Sequence, residues 1–206
     1  MLATLIVGEK GEECQLGNWI EFEHPTHENA CMDPSDFYEI ADGVQIDVPG
    51  GLFEHGCSLT QLSFLIHNHI EANGISGRIG IGTHIVLKPD RVARADLYFL
   101  SETRRLRQRQ RMIELNEKYG PLRVRPELIV ESIHLGNERH DRVTKRRWYA
   151  DAGIENYWIL DAFRKTLDCL VLVGRTYRVD QSGKNADKLR PAFFPALILP
   201  LAQLWD

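Results

Sequence analysis

Two apolar runs in the chain each carry a single carboxylate: Asp96 stands ahead of Leu97-Tyr98-Phe99-Leu100, and Glu131 stands behind Leu128-Ile129-Val130. A carboxylate in such a run is costly to bury unless it is paired or bound to a cation. If the two runs are neighbouring strands, the acids converge at one place on a sheet, and converging carboxylates suit a hard divalent cation such as Mg²⁺. The other reading is that Asp96 and Glu131 merely mark strand ends and are solvated or paired with arginines.

The surrounding elements decide whether the two acids can meet. Strand periodicity puts Glu127, Ile129, Glu131 and Ile133 on one face and Leu128, Val130 and Ser132 on the other, with Glu127 at the strand's solvated start. Tyr38-Glu39-Ile40 and Val44 to Val48 flank an Asp42-Gly43 turn and predict a hairpin. Ser58 to Asn73 predicts a helix capped by Ser58, with Leu62, Phe64-Leu65 and His69-Ile70 at helical spacing and Asn73-Gly74 as its end. Arg78 to Ile81 and His84 to Leu87 read as one strand or two paired strands, and Arg94 to Leu100 as another. Thr103 to Glu117 reads as a polar helix, Glu138 to Ala152 as a helix ending at Gly153, and Asn156 to Asp161 as a strand. Leu167 to Val173 and Thr176 to Val179 form a final hairpin, and Phe193 to Trp205 a cap or short helix. This order predicts an α/β fold with a mixed sheet flanked by helices.

With 206 residues the chain fits one domain with an N-terminal extension, residues 1–36 preceding a domain over residues 37–206. Within the extension, Leu2 to Val7 and Trp19 to Glu23 read as strands. The net charge of -4 gives no global nucleic-acid footprint, so any DNA binding must use a local basic patch or a metal ion. The four cysteines form no C-x-x-C pair and no signal peptide is visible, which predicts a reducing, cytoplasmic setting. No apolar run approaches the roughly 20 residues that span a bilayer.

Pro126 to Ile133, Asp141-Arg142-Val143-Thr144-Lys145, Trp148-Tyr149-Ala150, Ala152-Gly153-Ile154 and Tyr157 to Asp161 together resemble the Uma-two family, restriction-endonuclease-like proteins of the PD-(D/E)XK nuclease superfamily. Tyr38 to Gly43, Arg94-Ala95-Asp96 and Phe194-Pro195-Ala196-Leu197 also match the family's pattern, so the resemblance runs from about Phe37 to Trp205. It implies a restriction-endonuclease-like core and a Mg²⁺- or Mn²⁺-dependent endonuclease hydrolysing phosphodiester bonds in DNA. It implies that Asp96 and Glu131 hold the metal, with the main-chain carbonyl of Ser132 and Glu39 as further candidates. The superfamily usually places a lysine two residues after the second acid, where this chain has Ile133. The family supplies it from the following helix, and Lys145 matches; there it would orient or help deprotonate the attacking water and make the carboxylate cluster less repulsive. Ala95 stands for the family's proline, Glu127 for its aspartate, and Ile133-His134-Leu135-Gly136-Asn137 for its Leu-Ser-Pro-Ser. The last departure reshapes the loop beside the site. A homodimer is common in the superfamily. The competing expectation is an inactive nuclease-fold module that binds DNA or a protein partner, and a third is a hydrolase of another phosphoester.

Arg142, Arg146 and Arg147 share the segment of Lys145 and are candidates for phosphate contact. The basic run Arg104-Arg105-Leu106-Arg107-Gln108-Arg109-Gln110-Arg111, with Arg104, Arg105 and Arg107 as its candidate contacts, is either a second DNA-contacting surface or a solvated helix face. His134 and His140 lie close to the proposed site and are read as supporting groups or as surface histidines. His67-Asn68-His69 carries no nuclease meaning: one histidine packs and the other is wet. His24 and His27 belong to a loop without metal-binding order. Trp148, Tyr149, Tyr157 and Trp158 fill the core.

Overall fold

The computed structural model describes residues 37–48 and 53–205. The strands read in the extension, the His24 and His27 loop, Cys14 and Cys31 lie outside the described residues. The hairpin of β1 (Tyr38–Ala41) and β2 (Val44–Asp47) turns through Asp42 at φ +50° and Gly43 at φ +79°. Positive φ at both central residues is the turn whose twist matches a hairpin, which is why Asp-Gly signals it.

Helix α1 (Phe53–Ala72) begins a turn earlier than expected, and Ser58 is a buried position inside it rather than its cap. Leu62, Ile66 and Ile70 form its buried stripe. Of the two readings of residues 78–87, the single strand is the one observed: β3 (Gly77–Lys88), paired antiparallel with β4 (Arg91–Ser101). Helix α2 (Glu102–Glu114) starts where the Ser101 side chain accepts the Arg104 N–H, and none of its residues is buried. Strands β5 (Leu128–Ser132) and β6 (Asn156–Asp161) are buried at every position and run parallel. The connection between them is a π-helical turn, His140–Lys145, continuing into α3 (Arg146–Ala152), which ends at left-handed Gly153. Strands β7 (Thr166–Val173) and β8 (Thr176–Lys184) complete the main sheet. Its order is β2-β1-β4-β5-β6-β7-β8, with β3 on the other edge of β4, eight strands in all.

The sheet carries an apolar core on each face. Leu128 and Val130 join α1 and the C-terminal residues Phe194, Leu197 and Leu201 on one face. Ile129 and Ile133 join Trp148, Tyr149 and Tyr157 on the other, as the strand alternation requires. The C-terminal segment expected as a cap or short helix is strand β10 (Leu199–Pro200), paired with β9 (Lys188–Leu189), followed by a 3₁₀ turn over Leu201–Leu204. His67 is exposed while His69 meets the Phe194 ring edge-on at 6.0 Å. Glu127 is not solvated: it accepts the Ser101 N–H at 3.0 Å and pairs with Arg104 at 3.1 Å.

Strand β4 departs from regular pairing in two ways. Its apolar alternation changes face at Asp96, Ala93 and Ala95 packing in one core and Leu97 and Phe99 in the other. Across from Asp96, between the pairs Ile81–Leu97 and Thr83–Ala95, Gly82 sits at φ +56°. A left-handed residue kinks the partner strand there at little cost only if it is glycine. The second irregularity is a notch. On the edge of β4 away from β3, β1 pairs at Val92 and β5 from Leu97 to Phe99, so no strand covers Ala93 to Asp96.

Candidate functional site

Side chains take the place of a strand in that notch. Glu39 of β1 accepts the Arg94 N–H through Oε1 at 3.0 Å, and Lys145 Nζ donates to the Arg94 carbonyl at 3.1 Å. The backbone groups of Arg94, left open between β1 and β5, are thus satisfied by residues expected to do chemistry.

Lys145 is the hub. Its ammonium lies 3.0 Å from Glu131 Oε2, 2.8 Å from Glu39 Oε1 and 3.7 Å from Asp141 Oδ1, with only 5% of the side chain exposed. The other oxygen of Glu131 accepts the Tyr149 hydroxyl, and the other oxygen of Glu39 lies 2.6 Å from His140 Nε2. The π-helical register makes this possible. An i→i+5 turn stacks His140 next to Lys145, where an ordinary α-turn stacks i with i+4, so both reach the two oxygens of one carboxylate.

Asp96, 6% exposed, accepts the Ser132 N–H through Oδ2 at 2.8 Å. This contact ties the first acid to the residue after the second. Asp96, Glu131, Ser132, Glu39 and Lys145, all named from the sequence, therefore meet at one place. His140 belongs to the same cluster. His134 lies 3.9 Å from Asp141 Oδ2 and stacks on the His55 ring at 4.2 Å.

Three residues of the cluster are not found by reading the sequence for function. His55, in the first turn of α1, is buried with Nε2 3.1 Å from the Ser132 carbonyl and 3.5 Å from Asp96 Oδ2. Gly56 beside it masks the helix start, so the sequence offers little signal. Asp141 is buried, and its one clue is the i,i+4 spacing to Lys145. Tyr149 does fill the core as expected, yet its hydroxyl also serves Glu131.

Among the described residues, four buried carboxylates, Glu39, Asp96, Glu131 and Asp141, face the single buried ammonium of Lys145. Burial, reinforced by Asp96, Asp141 and Glu39, pushes the Glu131 carboxyl well above the ordinary range against the pull of Lys145. Burial works the same way on Asp96, but the His55 hydrogen bond, the Lys145 charge and the Ser132 N–H outweigh it and bring that carboxyl to about 2. Glu39 is also lowered, Lys145 and His140 overcoming its burial. Burial alone would lower the Lys145 ammonium, yet Glu131, Glu39, Asp141 and Asp96 together raise it well above the ordinary value. Lys145 is thus a donor here, and a role as base requires the carboxylate charge around it to be neutralised first. A cation bound there would supply that neutralisation, and two wholly buried polar atoms without a hydrogen-bond partner among the described residues, Ser132 Oγ and Asp141 Oδ2, lie in the same cluster.

The arginines proposed for phosphate contact divide. Arg142 pairs with Asp161 at 2.8 Å and Asp168 at 3.4 Å, and Arg146 donates to the Tyr177 carbonyl at 2.9 Å. Arg104 is held by Glu127 and Glu155 beyond the opposite end of β5, and Arg105 by Glu102 at 2.7 Å. Arg147 is 84% exposed with only a 3.9 Å approach to Asp151, and Arg107 is exposed without an ion pair among the described residues.

Comparison with known proteins agrees with this architecture. A solved structure described as a putative nuclease belonging to DUF820 from Anabaena variabilis superposes with a TM-score of 0.61 at 16% identity, over 82% of this chain and 89% of that one. Among curated proteins none matches. The family model described as "Putative restriction endonuclease" matches residues 24–202, which reach upstream of the Phe37 start read from the motifs. With the notch residues in place and nearly the whole length matched, the chain belongs to the Uma2 family.

Proposed function

We propose that the protein is a metal-dependent endonuclease that hydrolyses phosphodiester bonds in DNA. The observation that carries this reading is the meeting of Asp96, Glu131 and Lys145 in the strand notch, with a surplus of buried carboxylate that calls for a cation. The membership of the family and the fold of the Anabaena protein support it. Asp96, Glu131 and the Ser132 carbonyl would hold Mg²⁺ or Mn²⁺. When bound, such an ion supplies Lewis-acid stabilisation of phosphate charge and an activated water at neutral pH.

The chain's own residues do the rest. Lys145 donates toward the attacking water or the phosphate oxygen and is held in place by Glu39, itself fixed by His140 and the Arg94 N–H. Glu39 thereby positions Lys145 and, like Glu131, whose oxygens meet Lys145 and Tyr149, stays a further candidate ligand. Tyr149 fixes the rotamer of Glu131. Of the six arginines proposed for phosphate contact, Arg147 and Arg107 are the ones left to meet DNA phosphates.

The test is cleavage of supercoiled, linear duplex and single-stranded DNA, with RNA and small phosphoesters as comparison substrates, in Mg²⁺ or Mn²⁺. Asp96→Asn is the better control than alanine, because it keeps an acceptor for the buried Ser132 N–H. Wild-type protein is expected to cut DNA only with the ion, and the variant to lose at least about 100-fold of that activity while keeping its melting profile. DNA binding without ion binding or turnover would instead favour the inactive-module reading.

A further inference from the structure

The notch has a second side, lined by nitrogen. His55, Asp96 and His134 each present one ligand atom, all within 4.8 Å of one another. His55 Nε2 stands 3.1 Å from the Ser132 carbonyl and 3.5 Å from Asp96 Oδ2. Those separations match the edges of a coordination polyhedron, because ligands at about 2.0–2.2 Å from one ion lie about 3 Å or a little more from each other. His134 brings the feature that orients metal-bound histidines. Its Nδ1 lies 3.9 Å from Asp141 Oδ2, a wholly buried oxygen without a hydrogen-bond partner among the described residues. A carboxylate on one nitrogen of an imidazole is the usual support of a histidine ligand, and Asp141 would supply it by closing from 3.9 Å to hydrogen-bond distance. Asp141 is fixed in turn by its backbone, whose carbonyl accepts the Tyr157 hydroxyl at 2.8 Å, and by Lys145.

We infer that His55 and His134 join Asp96 as ligands, making this a mixed nitrogen and oxygen site that selects a first-row transition ion such as Mn²⁺, Co²⁺ or Zn²⁺ over Mg²⁺. The inference rests on the metal-dependent nuclease reading and specifies its ion. Mg²⁺ prefers oxygen and gives up water reluctantly, whereas imidazole suits the borderline transition ions. His134 lies in the Ile133 to Asn137 segment, where the sequence departs from the family pattern.

The experiment uses the full-length protein stripped with chelator and then loaded with Mn²⁺ at substoichiometric ratio. Pulsed electron paramagnetic resonance reads ¹⁴N coupling from imidazole directly, and competition titrations compare Mn²⁺ with Mg²⁺. Expected are ¹⁴N modulation in the wild-type protein and an affinity for Mn²⁺ at least about tenfold above that for Mg²⁺. His55→Ala and His134→Ala should each lower Mn²⁺ affinity about 10- to 100-fold, and Asp141→Asn should weaken it while leaving the ligand atoms in place. Bound Mn²⁺ with no ¹⁴N coupling overturns the inference and leaves the nuclease reading standing. Absence of ion binding together with absence of cleavage overturns both. The wild-type spectrum decides the question even if a histidine variant fails to fold.

Discussion

Lys145 has two consequences that pull in different directions, one structural and one chemical. Wholly inside the protein, it compensates the charge of Glu131, Glu39 and Asp141. Removing one partner of a buried ion pair costs about 3–5 kcal/mol, because the other charge stays buried without compensation. Lys145→Met should therefore lower the stability of metal-free protein by about that amount in urea unfolding at neutral pH. The penalty has a definite pH sign. Carboxylates stripped of the ammonium are harder to ionise folded than unfolded, so the folded form holds extra protons and the loss grows as pH rises above the ordinary glutamate value. A penalty independent of pH would show that Lys145 does not carry the charge of this cluster. At this scale the sequence was readable where a residue's type clashed with its surroundings: Asp96 and Glu131 in apolar runs, and Lys145 through the family pattern. His55 and Asp141 stayed hidden because a histidine near a helix start and an aspartate in a charged helix clash with nothing local; only the fold brings them to Asp96 and Lys145.

The elements were legible for a related reason, and failed for a different one. Alternation in β5 placed Ile129 and Ile133 with one core and Leu128 and Val130 with the other, because each face of a buried strand must be apolar. The π-turn was not legible: Glu138 to Ala152 reads as continuous helix, and the shift to an i→i+5 register is imposed by what His140 and Lys145 must both touch. Gly82 is a second local device. At φ +56° opposite Asp96, Gly82→Ala should cost about 1–2 kcal/mol by thermal or urea unfolding, and a neutral result would mean the kink there is not required. A third junction lies at the end of β6. Asp161, 1% exposed, holds Arg142 at 2.8 Å and Arg164 at 3.0 Å, tying the π-turn to the β6–β7 loop. Burial would raise its carboxyl, but the Arg164 N–H and side chain and Arg142 lower it below the ordinary aspartate value. Its contribution to stability is thus complete above that ordinary value and lost as pH falls through the lower folded one. Asp161→Asn should destabilise the protein at neutral pH and flatten the acid limb of its stability curve; an unchanged acid limb would assign that loss to other groups.

At the scale of the whole molecule the question is how a chain with net charge -4 engages a polyanion. No global field attracts DNA, and most of the arginines expected to do so are otherwise engaged: Arg142 and Arg104 with carboxylates, Arg105 with Glu102, Arg146 with a backbone carbonyl. Arg147 and Arg107 keep their charge available. Each phosphate neutralised releases counterions, and the logarithm of affinity falls with the logarithm of salt by about 0.9 for every such contact on duplex DNA. With these two arginines as the contacts, the slope is expected to be shallow, about 2 per protomer. Arg147→Ala should reduce it by about 1 while weakening binding uniformly across sequences. Arg104→Ala should leave the slope unchanged and instead lower stability, since its partners are Glu127 and Glu155. Fluorescence anisotropy of a labelled duplex across a salt series, with cleavage blocked by Asp96→Asn, measures both. A steep slope that Arg147→Ala leaves intact, or one that Arg104→Ala reduces, would place the DNA against α2 and the far end of β5, away from the notch that holds Asp96 and Lys145.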